Sequence, residues 1–463
     1  MEVTRQLAEF AVNRQYNDMP KTLVTEVKRL LLDTIGCTLG GIGTEKGDLA
    51  IKMAQSLDGP SEASVPGWNE KVSAASAAYA IGELINALDY DALLSPPDHA
   101  TPYVLAAPLA VGQARKVSGK ELIIATAIAH EVAIRISLGL VFGRRFNVKL
   151  PEKGLVLALP TPGYGMCVFG GTAACGKLLG LDSIQIANAM GIAGYNAPVP
   201  MLGKYASLVP SNLNKFLSAG LLSQQEVIAT ISAGMGFTGD TTLLDGDYGF
   251  WRGFGCDAWR PEYVVEGLGN RWYFPDRLFY KKYPCCGAMQ NTLSHFAGLI
   301  QEHGIGVEDI IKLEIKMNLL AELPLWRDNN LENHIDAQFN IPFVFAALAH
   351  GVEIGPAWQR PATLKNKEIL TFMNKVRVIT DLSLESESRP DVKVFVKSGT
   401  EQKTYSTKAY NHEYQMSDDI LIKKFLRNTG HIFEESQAQR IIGDIMNLEK
   451  INDISALFAL MAE

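Results

Sequence analysis

From Met1 to about Gly236, Ala, Leu, Ile and Gly recur at three- and four-residue spacing. That period suits an amphipathic helix. A pleated strand, whose side chains alternate at every second residue, does not produce it. A helical domain is therefore predicted to open the chain. Helices are expected over residues 24–39, stopped by Gly40-Gly41, then over 74–88, 102–114, 120–138, 170–179 and 183–193, the last capped at Asp182-Ser183. A long amphipathic helix is expected over 215–234, ahead of Gly236-Phe237-Thr238-Gly239.

The pattern changes after about Trp272. Residues 312–317 alternate, and the segments KVRVITD (375–381) and DVKVFVK (391–397) place β-branched residues between charges, as strands do. Ser398-Gly399 marks a turn, and 404–409 continues the hairpin. Apolar helical segments, 288–303 and 342–350, lie between these strands. From Ser417 the pattern is helical again to Glu463, with Ser417-Asp418-Asp419 as a capping start. The order predicts a mainly α fold with an α+β lid. Residues 1–272 and 413–463 build one helical domain, and 273–412 form an inserted α+β domain. A cleft between the two is the natural place for a ligand.

Only 20% of the 463 residues are charged and 47% are hydrophobic, so a broad core or a subunit interface is expected. The net charge of −7 argues against broad nucleic-acid binding, which needs a basic face. Six scattered Cys without metal or redox spacing, and no basic-apolar leader, read as a cytoplasmic protein with reduced thiols. The stretch 122–142 carries His130, Glu131 and Arg135, so it reads as a buried helix rather than a membrane span.

Candidate chemistry centres on Asp89-Tyr90-Asp91 and Asp98-His99, just ahead of a Pro- and Ala-rich run. Two carboxylates at a helix end read equally as a solvated terminus, although a helix C-terminus disfavours anions. A His beside carboxylates is held in one tautomer and suits proton transfer. Lys215 is either an ammonium reaching solvent or a buried group that binds a carboxylate or moves a proton. Lys204 is a second cation with a plain surface reading, and Arg144-Arg145 can serve as helix C-terminal charge. Cys285-Cys286 lines a site wall or simply packs. The rigid 160–165 loop, with Thr161 and Tyr164, packs backbone or holds side chains against a ligand. HExxH, GxSxG, Walker and strand-linked GxGxxG motifs are all missing, as is any paired His spacing, so cofactor-free chemistry is expected.

Four motifs in order resemble the MmgE/PrpD family, which includes 2-methylcitrate dehydratase, cis-aconitate decarboxylase and iminodisuccinate epimerase. They are Leu32-Asp33-Thr34-Ile35-Gly36-Cys37 with Gly40-Gly41, Leu88-Asp89-Tyr90-Asp91 with His99, Gly236-Phe237-Thr238-Gly239 after the Lys215 segment, and Lys282-Tyr283-Pro284-Cys285-Cys286. The resemblance covers essentially the whole chain. It implies a helical domain built from both chain ends, an α+β lid, a homodimer, an interdomain cleft and no metal or organic cofactor. It places the catalytic residues on Asp89, His99 and Lys215.

Several positions depart from the family pattern. Asn86 stands where many members have His, Ala92 replaces an Asp, and Leu93 sits where the decarboxylase branch has Thr. His99-Ala100-Thr101 replaces His-Pro-Ser/Gly, while Thr161 and Leu320 align with a His and a Tyr of that branch. Asn86, Leu93, Thr161, Tyr164, Lys204, Cys286 and Leu320 are thus the expected substrate-binding positions. The lost polar groups point away from cis-aconitate decarboxylation and from a tricarboxylate. The reading is a dehydratase-type lyase on a small-molecule carboxylate, with no nucleic-acid or membrane partner. A carboxylate isomerase or epimerase and a non-catalytic carboxylate-binding dimer stand as alternatives.

Overall fold

The computed structural model describes residues 2–57, 59–96, 99–141, 147–150, 155–158, 163–381, 391–398, 401–408 and 416–462. Its centre is the helix Ala74–Ile85, buried on nearly all sides. Lys21–Gly40, Glu45–Ser56, Ala106–Ala114 and Ala219–Gly234 pack around it. Small residues permit that crowding. A Cβ on Gly82 would stand 3.0 Å from the Ala219 carbonyl, and one on Gly220 would stand 2.5 Å from the Tyr79 oxygen. These two glycines lock the centre of the fold to the start of the Ala219–Gly234 helix.

The chain end returns to this body. Asp418–Thr429 and Glu435–Met446 pack on Lys21–Gly40, and Gly119 donates to the Ile451 carbonyl at 2.8 Å. Among the described residues one helix, Gly119–Gly139, has the length and hydropathy to cross a membrane. It is instead buried inside the protein.

The α+β domain carries a four-stranded sheet in the order Val376–Thr380, Ile310–Met317, Asp391–Ser398, Glu401–Lys408. The first pair is parallel and the others are antiparallel. Leu313, Ile315 and Met317 point inward with Val392, Val394 and Val396, while the intervening Lys and Glu face out, as the alternation predicts. The helices Gln290–His303 and Ile341–Ala349 belong to this domain.

Two expectations fail locally. The helix expected from Lys215 begins at Ala219, capped by the Ser218 hydroxyl. Lys215 lies outside it with φ 57°, in the left-handed region. The helical pattern also overreaches between Tyr195 and Ala219, where the only α-helix is Leu202–Ala206.

Candidate active site

The Ala74–Ile85 helix stops just before a buried irregular segment, residues 86–91. Asp89 there has φ 53°, a conformation that non-glycine residues rarely adopt, although Asp tolerates it best. The backbone carbonyls of such a segment need partners when water is excluded. Five consecutive ones receive five different side chains. Asn86 O accepts from Lys215 Nζ (3.3 Å) and Ala87 O from Gln338 Nε2 (2.6 Å). Leu88 O accepts from Gln359 Nε2 (2.7 Å), Asp89 O from Lys281 Nζ (2.8 Å) and Tyr90 O from Lys424 Nζ (2.7 Å). Three of the five donors are ammonium groups, which the negative end of the helix dipole favours. The solvated helix end is thus replaced by a buried, fully engaged turn.

The Asp89 carboxylate bridges two lysines. Its Oδ1 lies 2.6 Å from Lys215 Nζ and its Oδ2 lies 2.7 Å from Lys281 Nζ. Asp91 is clamped by Asn86 Nδ2 at 3.0 Å and by His99 Nδ1 at 2.8 Å. A proton on Nδ1 directed at Asp91 leaves the lone pair on Nε2, which lies 3.8 Å from Asp89 Oδ1. Asp89 and Lys281 are 0% exposed, Lys215 is 2% and His99 is 7%, so the imidazole stands at the cluster's open edge.

Burial alone would raise the Asp89 carboxyl, but Lys215, Lys281 and His99 hold it well below the usual carboxylate range. Burial opposes the charge on Asp91 too, and His99 together with Lys281 outweighs it, so Asp91 is also lowered. The two lysines are driven apart. Desolvation lowers Lys215, the Lys46 ammonium lowers it further, and Asp89 with Asp91 only partly restores it. Lys281 is desolvated too, but there Asp89 and Asp91 outweigh the burial, and it ends above its ordinary value.

Local architecture explains the placement. A two-residue antiparallel ladder pairs Leu93 with Phe279 and Leu94 with Leu278, which carries Lys281 to Asp89. The Lys215 turn is held from the body by the Lys46–Glu83 ion pair (2.5 Å). Lys46 donates to Leu213 O at 3.1 Å, and Glu83 accepts from Gly220 N at 2.9 Å and from the Ser218 hydroxyl. From the α+β domain, Asp336 accepts from Ser211 N at 2.6 Å and Asn333 donates to Ser211 O at 2.8 Å. The Phe216 and Phe339 rings lie 5.8 and 5.5 Å from Lys215 Nζ.

Of the expected residues, Asp89, His99, Lys215 and Asn86 meet in this cluster. Tyr164 joins as an aromatic wall, edge-on to His99 at 6.0 Å and 4.8 Å from the Phe216 ring. Cys286 is near enough that burial and the Asp89 charge push its thiol up to about 11. Leu93 is half-buried in the ladder that delivers Lys281, and Leu320 is half-buried in the turn after Ile310–Met317. Lys204 is exposed on its short helix, while its neighbour Tyr205 is buried against Phe216 and Phe339. Thr161, Asp98 and Arg144-Arg145 lie outside the described residues. Lys281, Gln338, Gln359 and Lys424 also meet here, without being expected from the sequence. For Lys281 the available signal was the Lys281-Lys282 pair before an apolar Tyr-Pro-Cys-Cys run, where strand-like alternation sends one lysine inward. Among the described residues no group of three or more His, Cys, Asp and Glu is arranged to hold a metal.

Sequence models of the MmgE/PrpD N-terminal and C-terminal domains match residues 5–261 and 283–450. The chain belongs to the MmgE/PrpD family. Among curated MmgE/PrpD relatives, a cis-aconitate decarboxylase of Aspergillus terreus is 23% identical over 487 residues, covering 99% of this chain and 96% of its own. The Homo sapiens cis-aconitate decarboxylase is 22% identical over 457 residues, covering 95% of this chain and 90% of its own.

Proposed function

We propose that the chain is a lyase of the dehydratase type, acting on a small carboxylate by α-proton abstraction and elimination. The observation that carries this reading is the Asp89 carboxylate bridging Lys215 and Lys281, with His99 Nε2 beside it. The relatives support lyase chemistry on a carboxylate, since they are cis-aconitate decarboxylases.

Asp89, held low between two ammonium groups, is a poor proton donor or acceptor near neutral pH, so it organises charge instead. Proton transfer falls to His99 and Lys215. His99 Nε2 takes the α-proton, with Asp91 and Asn86 fixing the tautomer. Lys281, which keeps its proton, offsets the negative charge that grows on the substrate carboxylate as the Cα–H bond breaks. The electron pair forms the C=C bond as the β-carbon–oxygen bond breaks. Lys215, a stronger acid than an ordinary lysine, protonates the departing oxygen and water leaves. His99 then gives up its proton and Lys215 takes one up from solvent, which restores the resting state. Side chains alone perform each step, and each proton transfer contributes on the order of 10²–10⁴ in rate.

Two proton-transfer groups around one substrate also suit an epimerase, in which the α-proton returns to the opposite face and nothing leaves. A panel of cis-aconitate, citrate, malate and 2-methylcitrate followed by NMR in D₂O separates these outcomes. Alkene or hydrated product supports the lyase reading, and deuterium at the α-carbon without elimination supports the epimerase. CO₂ release supports decarboxylation, as in the named relatives. Lys215→Ala is expected to abolish turnover, and unchanged turnover would overturn the scheme. A homodimer and a cytoplasmic location complete the proposal.

A further inference from the structure

We infer that Gln338 and Gln359 are positioning residues for Asp89, through which the α+β domain holds the carboxylate against Lys215 and Lys281. The inference rests on the proposed role of that carboxylate. Both amides are buried and both nitrogens use two hydrogens. Gln338 Nε2 donates to Ala87 O at 2.6 Å and to Gln359 Oε1 at 2.8 Å. Gln359 Nε2 donates to Leu88 O at 2.7 Å and to Pro284 O at 2.9 Å. Donation to two acceptors fixes each amide's orientation, because the flipped amide would set oxygen against oxygen.

These contacts act on the two residues immediately before Asp89. They orient the peptides that lead into its left-handed backbone, and so the direction of its side chain. Residues 86–91 belong to the helical body, whereas both glutamines and Pro284 come from beyond the Leu93–Phe279 ladder. The short helix His334–Phe339 that carries Gln338 also reaches the opposite partner. Its N-cap Asn333 and its Asp336 hold Ser211, and the Phe339 ring lies under Lys215 Nζ. One six-residue helix therefore touches both arms of the Asp89–Lys215 pair. The pair is assembled only when the α+β domain is seated on the body.

Gln338→Met and Gln359→Met remove the donors and keep side-chain length. Hydrogen exchange in peptides spanning residues 86–91 is expected to accelerate in both variants, while peptides from Asp418–Thr429 keep the wild-type rate. A crystal structure of either variant is expected to show Asp89 out of the left-handed region. On the panel member turned over fastest, kcat is expected to fall on the order of 10²-fold with KM nearly unchanged, the signature of a misplaced group rather than lost binding. Should Gln338→Met fail to fold, Gln359→Met and the isosteric Gln338→Glu carry the test. Wild-type exchange in 86–91 in a folded variant would overturn the assignment, as would an unmoved Asp89. Faster exchange with unchanged kcat would leave the positioning intact and overturn the catalytic reading of Asp89 instead.

Discussion

Asp89 and Lys215 meet at 2.6 Å with both backbones in the left-handed region, at φ 53° and 57°. Among the described residues only one other non-glycine residue, Lys116, has positive φ. A strained non-glycine residue costs on the order of 1–3 kcal/mol and persists where its surroundings over-determine it. Here the surroundings are visible. Lys46–Glu83, Ser211 with Asp336, and the donors to carbonyls 86–90 hold the two turns. Two strained residues that make one ion pair indicate that the pair's geometry, and not the turn itself, is what the fold maintains.

Asp89→Asn tests how far the cluster depends on its central charge. The substitution leaves two buried ammonium groups facing a neutral amide. Breaking a buried pair on one side costs about 3–5 kcal/mol. Urea unfolding at neutral pH should show a loss of that order. A loss within the scatter of ordinary surface substitutions would show that the cluster is solvated.

Acid unfolding follows from the same carboxylates. Asp89 and Asp91 are lowered in the folded state relative to the unfolded Asp value of about 3.9. The unfolded chain therefore binds more protons as pH falls, so the stabilisation is full above about pH 5 and is lost progressively below that. Wild-type urea midpoints should drop steeply below that pH, and Asp89→Asn should flatten the slope. Parallel slopes in the two proteins would refute the linkage.

The two lysines should behave differently. Lys215 is lowered and Lys281 raised, so only Lys215 is suited to exchange a proton. If its ammonium is the acid, kcat falls as pH rises through a value below the ordinary 10.5. Lys215→Arg, which keeps charge but cannot titrate, should lower kcat by on the order of 10²–10⁴ and remove that basic limb. Lys281→Arg, which keeps the charge at a group that does not exchange its proton, should retain the limb. A basic limb unchanged in Lys215→Arg would assign it to another group.

Asn86→Leu isolates the Asp91–His99 dyad. The amide at Asn86 donates to Asp91 Oδ1, opposite the oxygen that takes His99. Its loss leaves a buried acceptor unpaired, costing about 1–3 kcal/mol, and frees the carboxylate to rotate. Both the unfolding midpoint and kcat should fall, while Asn86→Asp, which sets two carboxylates together, should be worse. Equal kcat in wild type and Asn86→Leu would remove Asn86 from the proton-transfer path.

The sequence displays periodicity well and long-range pairing poorly. The 391–397 alternation and the Ser417 cap were legible because both signals sit within a few residues. The break at Lys215 was not, since Asn214-Lys215-Phe216 carries no Gly or Pro and the strain is imposed by residues far along the chain. Asp89 and His99 stood out as a local cluster. Lys281 depends on the Leu93–Phe279 ladder, and Gln338 and Gln359 on burial inside another domain, none of which a local pattern encodes.

The proposed homodimer makes a prediction on the helix that follows Lys215. Leu221, Ile228 and Met235 are seven residues apart and so share one helical face, and all three are exposed, Met235 by 83%. Tyr195, Met201 and Phe237, exposed nearby in the chain, extend the apolar character. Large apolar side chains left exposed along one helical face suit association with a partner surface. A second copy covering this face would press on the element that follows the Lys215 turn. Leu221→Glu with Ile228→Glu should convert a dimer to monomer by light scattering and should also reduce kcat. A wild-type protein that stays monomeric across concentrations would sink the dimer. A monomeric variant with full kcat would show that the interface, though real, does not support the site.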